Sequence, residues 1–155
     1  MTIFSAKSKK ISERILLKIQ LVSNRGTYFR GNSLTKAGKY PVCPICKFPI
    51  AVDPDMHEAL ITKGMVRHNK NIDMINSRFN CVLRHNQCPD GTHYHTSGAG
   101  SWEEYKACVK NLISFEGAKN VANWLQSMDQ YFPNISKDAM RKFQIAYAEI
   151  LLGED

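Results

Sequence analysis

Two pairs of metal-binding residues share one spacing in this 155-residue chain: Cys43-x-x-Cys46 and, 39 residues after Cys46, His85-x-x-Cys88. Thiolate sulfur and imidazole nitrogen suit tetrahedral zinc, and structural zinc sites take four such donors. A two-residue gap lets a single turn present both members of a pair to one ion. The four residues therefore predict a Cys3His structural zinc site that clips a loop to a helix start. Cys81 is the rival donor, but its place in an apolar strand suits a small buried side chain better. Five cysteines, an odd number, fit a metal role better than a disulfide framework. A thiol oxidoreductase built on Cys43-Pro-Ile-Cys46 lacks the upstream strand–helix context that such motifs need.

A second group of residues could move protons and hold a harder cation. Asp53-Pro-Asp-Met-His57-Glu58 lies between the two pairs, and His93-Tyr94-His95 follows them. Imidazole titrates near neutral pH, and carboxylate and imidazole together bind divalent ions. Asn80 precedes His85 by five residues and Cys88 by eight, while His57 lies 11 residues past Cys46. His68 sits in the polar run Arg67-His-Asn-Lys-Asn and suits contact with DNA or solvent better than metal.

This order resembles the HNH (His-Asn-His) endonuclease family, specifically its zinc-stapled branch. Met56-His-Glu-Ala-Leu and Phe79-Asn-Cys-Val-Leu-Arg-His-Asn-Gln-Cys carry the likeness, which is to the small phage-borne and mobile-element members. It covers Cys43 to His95, roughly a third of the chain. The resemblance implies an α+β fold with a ββα-metal (His-Me finger) core, in which a hairpin and a helix grip one divalent ion. It implies His57 as the general base that deprotonates a water, and Asn80 as the residue that braces the hairpin and orients that histidine. It implies His93, with His95 beside it, as ligand from the helix side for a catalytic Mg²⁺, Mn²⁺ or other divalent ion. Met56 stands where the family usually has an acid or histidine. Glu58 or Asp55 then supplies that ligand, and Glu58, next to His57, is preferred. Pro89 stands where a histidine often follows the last cysteine. In an alternative assignment His57 and Glu58 ligate the ion and His95 is the base.

These groups need elements to position them. Ser12 to Ser23 places Ile15, Leu16, Ile19 and Val22 at helical spacing, although Leu17 and Leu21 also make it apolar enough for a strand. The glycine-bearing stretch Arg25 to Tyr40 predicts a loop, and Pro41 to Pro49 a tight knuckle. A strand is expected around His57 within Ala51 to Ile61, then a polar loop from Gly64 to Ser77. Arg78 to Leu83 predicts a short strand leading into a helix. Ser101 and Glu104 form a capping box for a helix with Tyr105, Cys108, Val109, Leu112 and Ile113 on one stripe, ended by Gly117. A second helix runs from Ala118 to Met128. Ser136 is expected to cap a third, with Met140, Phe143, Tyr147, Ile150 and Leu151 inward. The chain divides into a basic arm (1–40), a zinc-stapled core (41–100) and C-terminal helices (101–155), packed as one domain.

Charge is uneven. Residues 1–41 hold nine Lys/Arg and one acid, Glu13, within a net charge of +7 for the whole chain. Such an arm suits contact with a phosphate backbone. Lys7, Lys9, Lys10, Arg14, Arg25, Arg30, Lys36 and Lys39 are its candidates. Arg67, Lys70, Arg78 and Arg84 lie nearer the presumed site and are the expected nucleic-acid contacts, with Arg78 or Arg84 placed to clamp the cleaved phosphate. No run of 18 apolar residues and no signal-peptide core occur, so a soluble cytoplasmic protein is expected, carried by a phage in a bacterial host. The partner expected is DNA, with a homodimer and a protein partner also open. Two other readings stand beside the nuclease: a non-catalytic zinc-stapled nucleic-acid binder, and a phage-encoded regulator of a host enzyme.

Overall fold

Leu17, Leu21 and Arg25 recur every four residues, and this row is the face by which the first helix packs. In the computed structural model, which describes residues 6–25, 40–88 and 100–153, α1 spans Ala6–Arg25. Leu21 and Arg25 are 2% exposed. Three members of the stripe read from the sequence, Ile15, Leu16 and Ile19, instead face outward and are more than half exposed. A helix this apolar offers two candidate faces, and tertiary contact chooses between them.

The sheet has two short antiparallel strands, β1 (Asp55–Glu58) and β2 (Cys81–Arg84). Their register pairs Asp55 with Arg84, Met56 with Leu83, His57 with Val82 and Glu58 with Cys81. Alternation along each strand sends successive side chains to opposite faces. Met56, Cys81 and Leu83 join Leu21, Cys43, Ile50 and Cys88 in one apolar cluster beneath α1. Val82 belongs to the larger cluster on the other face. The strand expected over Ala51–Ile61 is thus four residues long. The polar segment after it carries two 3-10 turns, Lys63–Val66 and Ile72–Ile75.

Three helices fill the C-terminal third: α2 (Trp102–Glu116), α3 (Ala118–Ser127) and α4 (Pro133–Leu152). Ser101 Oγ accepts from Glu104 N at 3.1 Å, and Glu104 Oε1 accepts from Ser101 N at 3.2 Å, so the capping box forms. Gly117 separates α2 from α3 at φ +87, a left-handed conformation that favours glycine. Tyr105, Cys108, Val109 and Leu112 of α2 pack with Val121, Leu125, Phe143 and Ala146 of α3 and α4. The loop between the strands joins this core through Leu60, Ile61, Val66 and Ile75. Ser136 does not cap α4, which begins at Pro133 because proline fits the first helical position. Its hydroxyl is buried and donates to Leu125 O at 2.6 Å, tying α4 to α3. Leu151, expected inward, is 59% exposed near the helix end. Among the described residues no helix is long and apolar enough to cross a membrane.

Candidate metal centre

Residues 41–50 fold into a knuckle through their own backbone. Cys43 N donates to Phe48 O at 3.0 Å, Lys47 N to Cys43 O at 2.9 Å, and Ile50 N to Pro41 O at 2.8 Å. Lys47 takes the left-handed conformation at φ 68 that closes the turn. The turn brings Cys43 and Cys46 to one side. His85 and Cys88 come from the segment directly after β2, which is not helical over residues 85–88, so the second pair does not sit on the helix start expected from the sequence. One ligand atom from each of Cys43, Cys46, His85 and Cys88 lies within 4.8 Å of all the others. Among the described residues no other group of three or more such donors is gathered in this way.

The edges of this cluster test its fit to zinc. A tetrahedral ion with Zn–S bonds of about 2.3 Å separates its sulfurs by about 3.8 Å. Cys43 Sγ and Cys88 Sγ are 3.8 Å apart, and Cys46 Sγ lies 3.3 Å from His85 Nδ1. His85 Nε2 sits 3.2 Å from Pro49 O. A donated Nε2 proton there leaves the Nδ1 lone pair for an ion, the usual support for a ligating histidine. Burial first, then the Cys43 thiol, pushes the Cys46 thiol up against hydrogen bonds from Phe48 and Cys88, and burial with the Cys46 and Cys43 thiols pushes Cys88 up. A bound cation would reverse that by favouring thiolate. The residues present fit a structural zinc ion. Burial pushes Cys81 and Cys108 up to about 12, so both stay as neutral, apolar thiols.

Asn80 is wholly buried and fully used. Its Oδ1 accepts from Leu60 N at 3.0 Å and Ile61 N at 2.9 Å, and its Nδ2 donates to Ile61 O and Ile75 O, both at 2.9 Å. These bonds fix the chain just beyond β1 against the chain just before β2. His57 is 9% exposed and shares its sheet face with Val82, Asp55 and Arg84.

The two candidate acids lie on opposite faces. Glu58 turns toward α1, where Arg14 Nη2 donates to it at 2.9 Å; the same guanidinium bonds Met56 O and Asn76 Oδ1. Asp55 pairs with Arg84 Nε at 3.2 Å and opens onto a cleft of about 470 Å³ that Lys18 and Asp53 also line. His93 and His95 lie outside the described residues. Whether a helix follows β2 within 89–99 lies outside them too.

The basic residues divide into two groups. Arg67 and Lys70 are exposed. Arg78 is 60% exposed, stacks over Phe79 and reaches Glu116 at 3.3 Å. Arg84 is 2% exposed and spends its charge on Asp55. Arg25 is equally buried and bonds Cys81 O at 2.6 Å, Arg78 O at 2.8 Å and Glu116 at 3.1 Å. Burial lowers its pKa from the ordinary arginine value, and Glu116 opposes that. Two arginines of the basic arm, Arg14 and Arg25, therefore strap α1 across the hairpin. Charge counting alone missed this; the four-residue spacing of Arg25 from Leu21 was the available signal.

No family model, curated protein or solved structure matches this chain.

Proposed function

We propose that the chain is a metal-dependent HNH-type endonuclease that hydrolyses DNA phosphodiester bonds with His57 as general base. One observation carries the reading. Asn80 makes four buried hydrogen bonds that brace the hairpin bearing His57, while a zinc-compatible Cys3His cluster closes the hairpin's other side. A strand end held from both sides keeps an imidazole in one place, and positioned acid–base groups need that.

In this reading His57 takes a proton from the water that attacks phosphorus. A divalent ion, when bound, offsets charge developing on the phosphate and the leaving oxygen. Asp55 supplies the carboxylate from His57's own face, in place of the Glu58 preferred from the sequence, because Glu58 is engaged by Arg14 on the other face. His93 and His95 complete the site. Arg67, Lys70 and Arg78 hold the backbone of the substrate.

Nicking of supercoiled plasmid with Mg²⁺ or Mn²⁺ tests the proposal. Cutting by the wild type that His57→Ala abolishes supports it. A zinc-loaded, folded chain that never cuts sinks it and favours the non-catalytic binder. That second reading draws on Met56, which is 6% exposed and packed in the core at the position where the family has a ligand. A pull-down that recovers one host protein and ignores DNA would instead favour the regulator.

A further inference from the structure

Nothing among the described residues requires a glycine at position 64. Its φ lies outside the left-handed region that favours glycine. A Cβ added there would meet only Thr62 Oγ1, at 3.9 Å, an ordinary contact. The remaining use of a missing side chain is close approach of the backbone to another molecule. Gly64 lies in the 3-10 turn Lys63–Val66, beside Met65, which is 45% exposed. The turn is firmly seated. Ile61 before it and Val66 within it are buried in the main core. Met65 N donates to Thr62 O at 3.1 Å and to Thr62 Oγ1 at 3.3 Å. Lys63 and Arg67 stand two residues to either side of Met65; both are exposed, and among the described residues neither is paired with an acid. Residues 61–80 hold four Lys/Arg against one acid, Asp73. The loop's other exposed methionine, Met74, directly follows that acid.

We propose that the β1–β2 loop inserts Met65 as a wedge between adjacent base pairs of duplex DNA. Lys63 and Arg67 take phosphates on either side of the opened step, and Gly64 lets the backbone settle close against the strand. Apolar wedges of this kind, methionine among them, unstack a base step and kink the duplex by about 20–90°. Met65 is the wedge rather than Met74 because cations flank it, whereas Asp73 beside Met74 repels phosphate. Asn80 bonds both Ile61 and Ile75, so the loop that carries Met65 is braced against the strand that bears His57. The inference rests on the nuclease reading for its ligand class, but not on any step of catalysis. It gives the protein a preference for easily unstacked pyrimidine–purine steps, which yield to a wedge at the lowest cost.

The test is a binding titration of the zinc-loaded full chain, over a salt series and without added Mg²⁺ or Mn²⁺. The probe is a short duplex of repeated T–A steps, with 2-aminopurine in place of adenine and a donor–acceptor dye pair at its ends. Wild-type binding should raise the 2-aminopurine fluorescence, as bases unstack, and shorten the distance between the ends. Met65→Ala should lose both signals while keeping the wild-type salt dependence, and Met65→Leu should retain them. Gly64→Gln should melt at or above the wild type, since glutamine is the better helix former, yet lose the fluorescence rise. Lys63→Gln/Arg67→Gln should make the log–log salt slope shallower by about 2, roughly 0.9 for each phosphate no longer neutralised. Met74→Ala should behave as the wild type. DNA bound without unstacking overturns the wedge. Unstacking that survives Met65→Ala or Gly64→Gln, or that is lost only in Met74→Ala, overturns it as well. The nuclease reading fails separately. DNA unstacked in this Met65-dependent way but never cut by the wild type keeps the wedge and removes the nuclease. Cutting by a wild type that leaves the bases stacked does the reverse, and a chain that binds no DNA removes both.

Discussion

Arg14 Nη2 donates to the Glu58 carboxylate at 2.9 Å, on the face of the two-stranded sheet that His57 does not share. The pair is partly screened, with side-chain exposures of 41% and 14%. Its role is to hold α1 against β1 and the Asn76 loop.

The two acids therefore separate by mutation. Glu58→Gln should lower stability by roughly 0.5–1.5 kcal/mol and leave metal-dependent cleavage largely intact. Asp55→Asn should lower cleavage on the order of a hundredfold, through weaker binding of the divalent ion. It also leaves Arg84 without its Asp55 partner, so rates are compared below the melting midpoints of all variants. The reverse order, with Glu58→Gln inactive and Asp55→Asn active, would return the ligand to Glu58.

Asn80 gives a stability prediction. Asn80→Ala strips partners from Leu60 N, Ile61 N, Ile61 O and Ile75 O in the interior, where an unsatisfied group costs about 1–3 kcal/mol. Partial rearrangement limits the sum, and a loss of about 3 kcal/mol or more is expected in urea unfolding. Asn80→Asp keeps the acceptor but removes both donors, so it should not restore stability. A variant within about 0.5 kcal/mol of wild type would mean that the four bonds do not hold the hairpin.

The cysteine and histidine spacing made the metal cluster legible in the sequence, because ligand pairs two residues apart reflect local turn geometry. The capping box at Ser101 and the apolar stripe of α2 were legible for the same reason. What the sequence concealed depends on residues far apart in the chain. The outward turn of Ile15, Leu16 and Ile19 follows from which side of α1 meets Cys43, Ile50 and Leu83. The separation of Asp55 from Glu58 follows from strand alternation, visible only once the register with β2 is known. Arg84 and Arg25 counted as free charge until their burial and their partners 29 and 91 residues away, Asp55 and Glu116, were known.

Zinc content follows from the cluster's geometry. The purified chain should carry one zinc per molecule, released by a thiol-reactive reagent and detected with a chromogenic chelator. Removing the ion leaves four crowded donors and frees the knuckle from the end of β2. Binding energy of such sites counts toward folding, so the stripped chain should lose near-UV dichroism and melt well below the loaded one. Cys43→Ala and His85→Ala should each drop the zinc content toward zero. Cys81→Ala, outside the cluster, should keep the ion while losing some core packing. A chain that folds equally well with no bound metal would remove the staple.

Glu149 supplies a pH test of the C-terminal helices. Trp102 Nε1 donates to Glu149 Oε1 at 2.9 Å, and Lys106 Nζ lies 3.1 Å from the same oxygen, so the start of α2 is tied to the end of α4. The indole bond, then the Lys106 bond, hold the carboxyl below its ordinary value. A carboxylate depressed by folding adds stability above its unfolded pKa, about 4.3. That stability disappears as pH falls through the lower folded value. Glu149→Gln should melt slightly below wild type at pH 7, since an exposed tie of this kind is weak. The difference should shrink once pH drops below the ordinary carboxylate range and vanish below the folded value. A melting difference that stays constant into acid would show that the charge on Glu149 plays no part, and that only the neutral hydrogen bond from Trp102 joins the two helices.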